Sequence, residues 1–156
     1  MSYEASYNAI ISGDEAAFDT TIDDTDLART SDSGKNLLGT AATVGRYEMA
    51  AELIDRGIDL NVQNKEGKTP LHHAIESDND DIAELLVESG AALDIEDEYG
   101  NQPLWRAVFK GNYEIAKLLV EHGANPSHQN DAGKSPLGLA READAAAFVE
   151  LLESSD

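Results

Sequence analysis

The chain has 156 residues, no cysteine and a formal net charge of −20 at neutral pH. This length suits a single domain, and the lack of cysteine excludes disulfides, thiolate metal sites and cysteine catalysis. No run approaches the roughly 18 apolar residues of a membrane span, and the first residues lack the basic and apolar regions of a signal peptide. We therefore expect a cytoplasmic protein, and the charge argues against nucleic acid or an anionic membrane as a partner.

The acidic residues are concentrated in the middle of the chain. Between Thr69 and Trp105 there are ten acids and no lysine or arginine. A field of this sign would speed the encounter with a basic protein. Acidic surfaces also favour solubility, and a salt-adapted organism would carry them on all its proteins. The sequence leaves both interpretations open.

Apolar residues at roughly helical spacing occupy the start of the chain, from Ala9 and Ile10 to Phe18 and Ile22. From Ser31 onward the pattern changes to a repeat. Its clearest markers are glycines 33 residues apart, at Gly34, Gly67, Gly100 and Gly133. A fixed period of this length indicates one supersecondary unit stacked on copies of itself.

Each repeat predicts two short helices. Thr69 before Pro70 is typical of an N-cap followed by proline at the first helical position, and the apolar residues of this first helix recur every three to four positions. The run 78–80 breaks that helix, and Asn79 or Asp80 is expected to cap the next one. Gly90 suits the left-handed position that ends the second helix, and Gly100 suits a turn with positive φ.

The pattern Gly-x-Thr-Pro-Leu-His-x-Ala is complete from Gly67 to Ala74, and with the 33-residue period it resembles the ankyrin repeat. The resemblance covers residues 31–153. It implies an all-α solenoid of stacked helix-turn-helix units with β-turn-like tips and with capping units at both ends, the last helix spanning 144–152. The expected division of the single domain 1–156 is an N-terminal cap 1–30, repeats 31–63, 64–96 and 97–129, and a C-terminal capping repeat 130–156.

Catalytic and metal-binding constellations are not supported by the sequence. His72 stands at the histidine of the repeat motif, where the resemblance implies a structural hydrogen bond between units, while His73 is expected on the open face. Asp78 and Asp80 resemble the start of a calcium loop, but the rest of that pattern fails because Ile82 stands where a ligand should be. We predict no catalytic residue, no cofactor and no metal.

The resemblance implies that a partner would bind the tips and the exposed side of the first helices. The third unit departs from the others there, because Tyr99, Trp105, Phe109 and Tyr113 fall close together in a chain of only nine aromatics. Aromatic residues and arginine are enriched at binding hot spots. Tyr113 aligns with Tyr47 and is expected in the core. The predicted partner-binding residues are Tyr99, Trp105, Arg106, Phe109, Lys110, Glu66, Lys68, His73, Glu76 and Glu98.

The leading hypothesis is a monomeric, non-enzymatic module that binds a partner protein. A sharper alternative is an immunity or inhibitor protein that neutralises a basic toxin or enzyme, an analogy drawn from fold and charge. An enzyme is the alternative of a different class.

Overall fold

The computed structural model describes residues 2–155. Within that range all regular structure is helical, as predicted, with one short 3₁₀ helix at Ile22–Asp24 and no strand. The ten α-helices are α1 (Ser2–Ser12), α2 (Glu15–Thr21), α3 (Leu37–Val44), α4 (Tyr47–Asp55), α5 (Pro70–Glu76), α6 (Asp80–Glu88), α7 (Pro103–Phe109), α8 (Tyr113–Glu121), α9 (Pro136–Glu142) and α10 (Ala146–Glu153).

The helices form two layers. The first helix of each unit packs on the first helix of the next, in the order α1, α3, α5, α7, α9, and the second helices α4, α6, α8 and α10 pack in a parallel series. The two layers meet inside each unit, for example where α5 contacts α6. The chain therefore builds a stack in which every inner unit has a neighbour on both sides.

The core runs continuously through this stack. The leucine of each second helix, at 53, 86, 119 and 152, has no exposed surface. The alanines of the first helices, at 41, 74, 107 and 140, are at most 1% exposed. A small residue lets adjacent helices approach closely, while the leucines fill the space between the layers. The leucines and alanines that recur with the repeat period in the sequence are therefore buried in the structure.

Each unit begins with a tight turn that we call its tip. In the third unit the amide of Gly100 donates to the carbonyl of Asp97 (2.9 Å), and Gly100 has a φ of 77°. A Cβ on Gly100 would lie 2.6 Å from Oδ1 of Asp131, so glycine is required on two counts. Neighbouring tips are joined by backbone hydrogen bonds, such as Glu98 N to the carbonyl of Glu66 (2.8 Å) and Asp131 N to that of Tyr99 (3.0 Å).

One expectation about helix ends is confirmed in position only, and another needs correction. Asn79 is the N-cap residue of α6, as predicted, but its side chain makes no cap hydrogen bond and instead donates to the carbonyl of Ala42 in the preceding unit (2.8 Å). The last helix begins at Ala146 and not at Asp144, because Asp144 has a φ of 51°. In both places a contact or a turn between elements prevails over the local capping preference.

Leu86 provides a test of the stack. The Leu86→Ala substitution should lower the free energy of unfolding by about 2–5 kcal/mol, because it removes a fully buried side chain and leaves a cavity. Urea denaturation followed by circular dichroism measures this. Glu84→Ala, at an exposed position of the same helix, should change stability by no more than about 0.5 kcal/mol. Equal midpoints for the two variants would contradict the assigned register.

Candidate functional site

The third unit carries an exposed pair of stacked aromatic rings on α7. The centroids of Trp105 and Phe109 are 5.1 Å apart and their planes differ by 12°. Phe109 is 59% exposed, whereas Trp105 is partly buried. The two residues are four positions apart and so share one helix face. We call this pair the aromatic patch.

Trp105 contributes a further anomaly. Its indole N–H is buried and has no acceptor among residues 2–155. A buried donor left without a partner costs about 1–3 kcal/mol.

The other three units place a polar contact where the third has Phe109. The lysine after the tip glycine reaches the residue eight positions later, and we call this the tip lysine contact. Lys35 Nζ donates to Thr43 Oγ1 (3.1 Å), Lys68 Nζ lies 3.1 Å from Glu76 Oε2, and Lys134 pairs with Glu142. The third unit has replaced both ends of this contact, with Asn101 for the lysine and Phe109 for its partner.

Asn101 is turned away from the position that the lysines occupy. It is buried, and its side-chain oxygen accepts from Asn130 Nδ2 (2.8 Å). Its carbonyl accepts a hydrogen bond from Nε2 of His72 (2.9 Å). In the sequence, Asn101 aligns with Lys35, Lys68 and Lys134, and the loss of this charge is a weak signal by itself. In the other three units the lysine and its partner are eight residues apart. This spacing in the sequence shows that the substitutions at positions 101 and 109 belong to one contact.

Ion pairs join α7 to the neighbouring elements around the aromatic patch. Arg106 pairs with Asp97 (3.0 Å) and with Glu76 (3.2 Å), and its guanidinium carbon lies 5.7 Å from the centroid of the Trp105 ring. Lys110 pairs with Asp78 (3.2 Å) and donates to the carbonyl of Glu76. These contacts fix α7 against α5 and the tip, so the predicted residues Arg106, Lys110, Lys68 and Glu76 surround the aromatic patch with charges that are already paired.

The tip of the third unit is exposed and acidic. Tyr99 is 61% exposed, and its amide donates to Oδ1 of Asp97 (2.9 Å). The carboxylates of Glu98 and Asp131 are exposed and make no ion pair or hydrogen bond within the described residues. Glu66, at the preceding tip, pairs with Lys68 (2.9 Å). The third unit thus combines exposed aromatic side chains, Tyr99 and Phe109, with carboxylates at its tip and at the neighbouring tips.

The structure separates the two adjacent histidines from any exposed site. His72 accepts from the amide of Thr69 and donates to the carbonyl of Asn101, which confirms the hydrogen bond between units. His73 was expected on the open face, but it is only 5% exposed. The His73 ring packs against the preceding helix, in ordinary van der Waals contact 3.6 Å from where a Cβ on Gly39 would stand.

Tyr113 differs from its predicted position in the opposite sense. Tyr113 was expected in the core, but it is 36% exposed and packs edge-on against Phe148 with centroids 5.5 Å apart.

Among residues 2–155, no three His, Asp or Glu side chains are grouped as metal ligands would be. Across the same residues, no helix has the length and apolar character that crossing a bilayer requires.

The burial of His73 predicts a pH dependence of stability. Burial, with a smaller effect of the Lys35 charge, lowers its pKa from 6.5 to about 3. Below the pKa of the unfolded chain, His73 binds a proton when the chain is unfolded but not when it is folded. The contribution of His73 to the free energy of unfolding is therefore highest above the unfolded pKa and decreases as the pH falls. Between about pH 7.5 and pH 5 this amounts to about 2 kcal/mol.

The His73→Leu variant isolates this effect, since Leu139 stands at the equivalent position of the last unit. Burial also lowers the pKa of His72, so the comparison must be between the variant and the wild type. The variant should lose about 2 kcal/mol less on acidification, as measured by urea denaturation at both pH values. If the two proteins lose the same free energy, His73 is not held neutral.

Comparison with known families places these features in context. The family model described as ankyrin repeats (3 copies) matches residues 7–97, 38–130 and 89–155. The matches together span nearly all of the chain, including the N-terminal helices and the aromatic patch. Ankyrin repeats are generally protein–protein interaction modules. The chain belongs to the ankyrin repeat family.

Proposed function

We propose that this protein binds a partner protein through the aromatic patch and the tip of the third unit, without catalysing a reaction. The observation that carries the proposal is the exposure of Phe109, 59%, at a position that is Thr43, Glu76 and Glu142 in the other units. Exposed apolar groups that lie together within a polar rim mark interaction sites, and the exposed Phe109 ring stacks on Trp105.

The arrangement has the energetic features of a hot spot. Phe109 and Trp105 are held in a fixed stacked geometry, so little side-chain freedom remains to be lost on binding. The ion pairs of Arg106 with Asp97 and Glu76 keep α7 in place. Tyr99 extends the apolar surface to the tip, and Glu66 and Glu98 form a polar rim. We infer that the protein acts as a cytoplasmic monomer that occupies its partner's surface.

The acidity favours a basic partner within this proposal. The net charge is −20, and carboxylates remain unpaired at the tips beside Tyr99. Like charges across an interface repel, and opposite charges speed the encounter. The sharper form of the proposal is an immunity or inhibitor protein that neutralises a basic toxin or enzyme by covering its surface.

Phe109→Ala tests the proposal. The substitution should weaken partner binding by more than about tenfold, as hot-spot truncations do, and should alter the free energy of unfolding by less than about 1 kcal/mol because the side chain is mostly exposed. Immobilised wild-type and variant proteins would be compared by quantitative mass spectrometry of what each captures from a lysate of the source organism. Trp105→Ala in addition should weaken capture further.

Tyr47→Ala is the matched control, because Tyr47 is an exposed aromatic (38%) at the start of α4, in the other helix layer. Capture should be unchanged by this substitution. If no protein depends on Phe109, or if every captured protein depends equally on Tyr47, the proposed surface is wrong.

The immunity form has a separate test. The captured partner should be a basic protein encoded beside this chain, and its activity should be lost at a one-to-one ratio of the two proteins. Binding should weaken as salt rises, because screening reduces long-range attraction. A partner that is acidic, or that keeps its activity in the complex, would contradict this form and leave the binding proposal standing.

A further inference from the structure

The tip lysine contact recurs in three units of this chain. In each, the lysine that follows the tip glycine extends over the first helix to the side chain eight positions later, as Lys68 does to Glu76. The contact places an ammonium group above the same point of α3, α5 and α9. The buried leucine and alanine of the stack recur in the third unit as Leu119 and Ala107, so the corresponding point above α7 is an equivalent position.

That position carries no ammonium group in the third unit, and we call it the open position. Asn101 is too short to reach it and is hydrogen-bonded to Asn130. Phe109, at the receiving end, presents an exposed ring backed by Trp105. Arg106 and Lys110 are the nearest cations on α7, and both are engaged with carboxylates of other elements. No side chain described here therefore supplies the cation that the other units have.

The charges around the open position have a negative sum. Six cations lie on the tips and first helices of the second, third and fourth units, and all of them except Lys65 are in ion pairs. They are outnumbered by seven carboxylates, two of which are unpaired. The carboxylates are those of Glu66, Glu76, Asp78, Asp97, Glu98, Asp131 and Glu142, and the cations are Lys65, Lys68, Arg106, Lys110, Lys134 and Arg141.

We propose that the open position above Phe109 receives an arginine or lysine side chain of the partner, which takes the place of the missing tip lysine. The proposal rests on the proposed function and specifies the chemistry of that same surface. The negative face of an aromatic ring attracts a cation, and the surplus of carboxylates stabilises it further. An anionic side chain would meet repulsion at the same place.

A short peptide provides the probe. Trp105 is the only tryptophan, and it backs the Phe109 ring, so its fluorescence reports on this position. We would titrate a capped decapeptide of alternating arginine and glycine at physiological salt, and the same peptide with citrulline, which has nearly the same shape but no charge. The arginine peptide should change the fluorescence and bind at least about fivefold more tightly, a ratio within the range of a cation–aromatic contact.

Charge attraction to the whole acidic surface must be separated from binding at this position. Asn101→Lys restores the chain's own lysine and should lower the affinity for the arginine peptide about fivefold or more. Ser89→Lys adds the same charge at the exposed end of α6 and should lower it by less than twofold. Because lysine stands at this position in three other units, Asn101→Lys is expected to fold, and circular dichroism verifies this.

Phe109→Leu gives an independent result that does not depend on that variant. Leucine keeps an apolar side chain but removes the aromatic ring, so the preference for arginine over citrulline should fall to near one. The proposal is overturned if Asn101→Lys and Ser89→Lys have equal effects, or if Phe109→Leu keeps the full preference. Should partner capture still depend on Phe109 in that case, the surface binds a partner through apolar contact alone, and only the cation site is wrong.

Discussion

Burial between successive units is the constraint on which the rest of this structure depends. Each unit has two short helices with an apolar stripe on each, and neither stripe can be covered within the unit. Stacking covers them, as the complete burial of Leu53, Leu86 and Leu119 shows. Hydrogen bonds between neighbours, from tip to tip and from Asn79 to Ala42, then fix the register of one unit on the next.

Because of this register, each residue of one unit has an equivalent in the others. A residue that differs in type from its equivalents can then be examined for its own role. His73 packs against Gly39 of the preceding unit, so this exception serves packing. Asn101 and Phe109 together remove a polar contact and expose an aromatic ring. Substitutions of the first kind complete the core, whereas those of the second kind change an exposed surface.

The sequence was sufficient for features that lie within one unit. The 33-residue period, the turn glycines and the buried leucines all follow from local pattern and local physics. Features that depend on the neighbouring unit could not be derived in this way. His73 is buried by its packing against the preceding unit, and Tyr113 remains 36% exposed although it packs against Phe148 of the following unit. The exposure of Phe109 was predictable because its three equivalents are polar.

Hydrogen–deuterium exchange of the protein alone and in complex with its captured partner tests whether the third unit is the binding surface. Binding should slow amide exchange in the tip 97–102 and in α7, Pro103–Phe109, with little change in α4 and α6. Protection confined to the second-helix layer, or absent from the third unit, would contradict it.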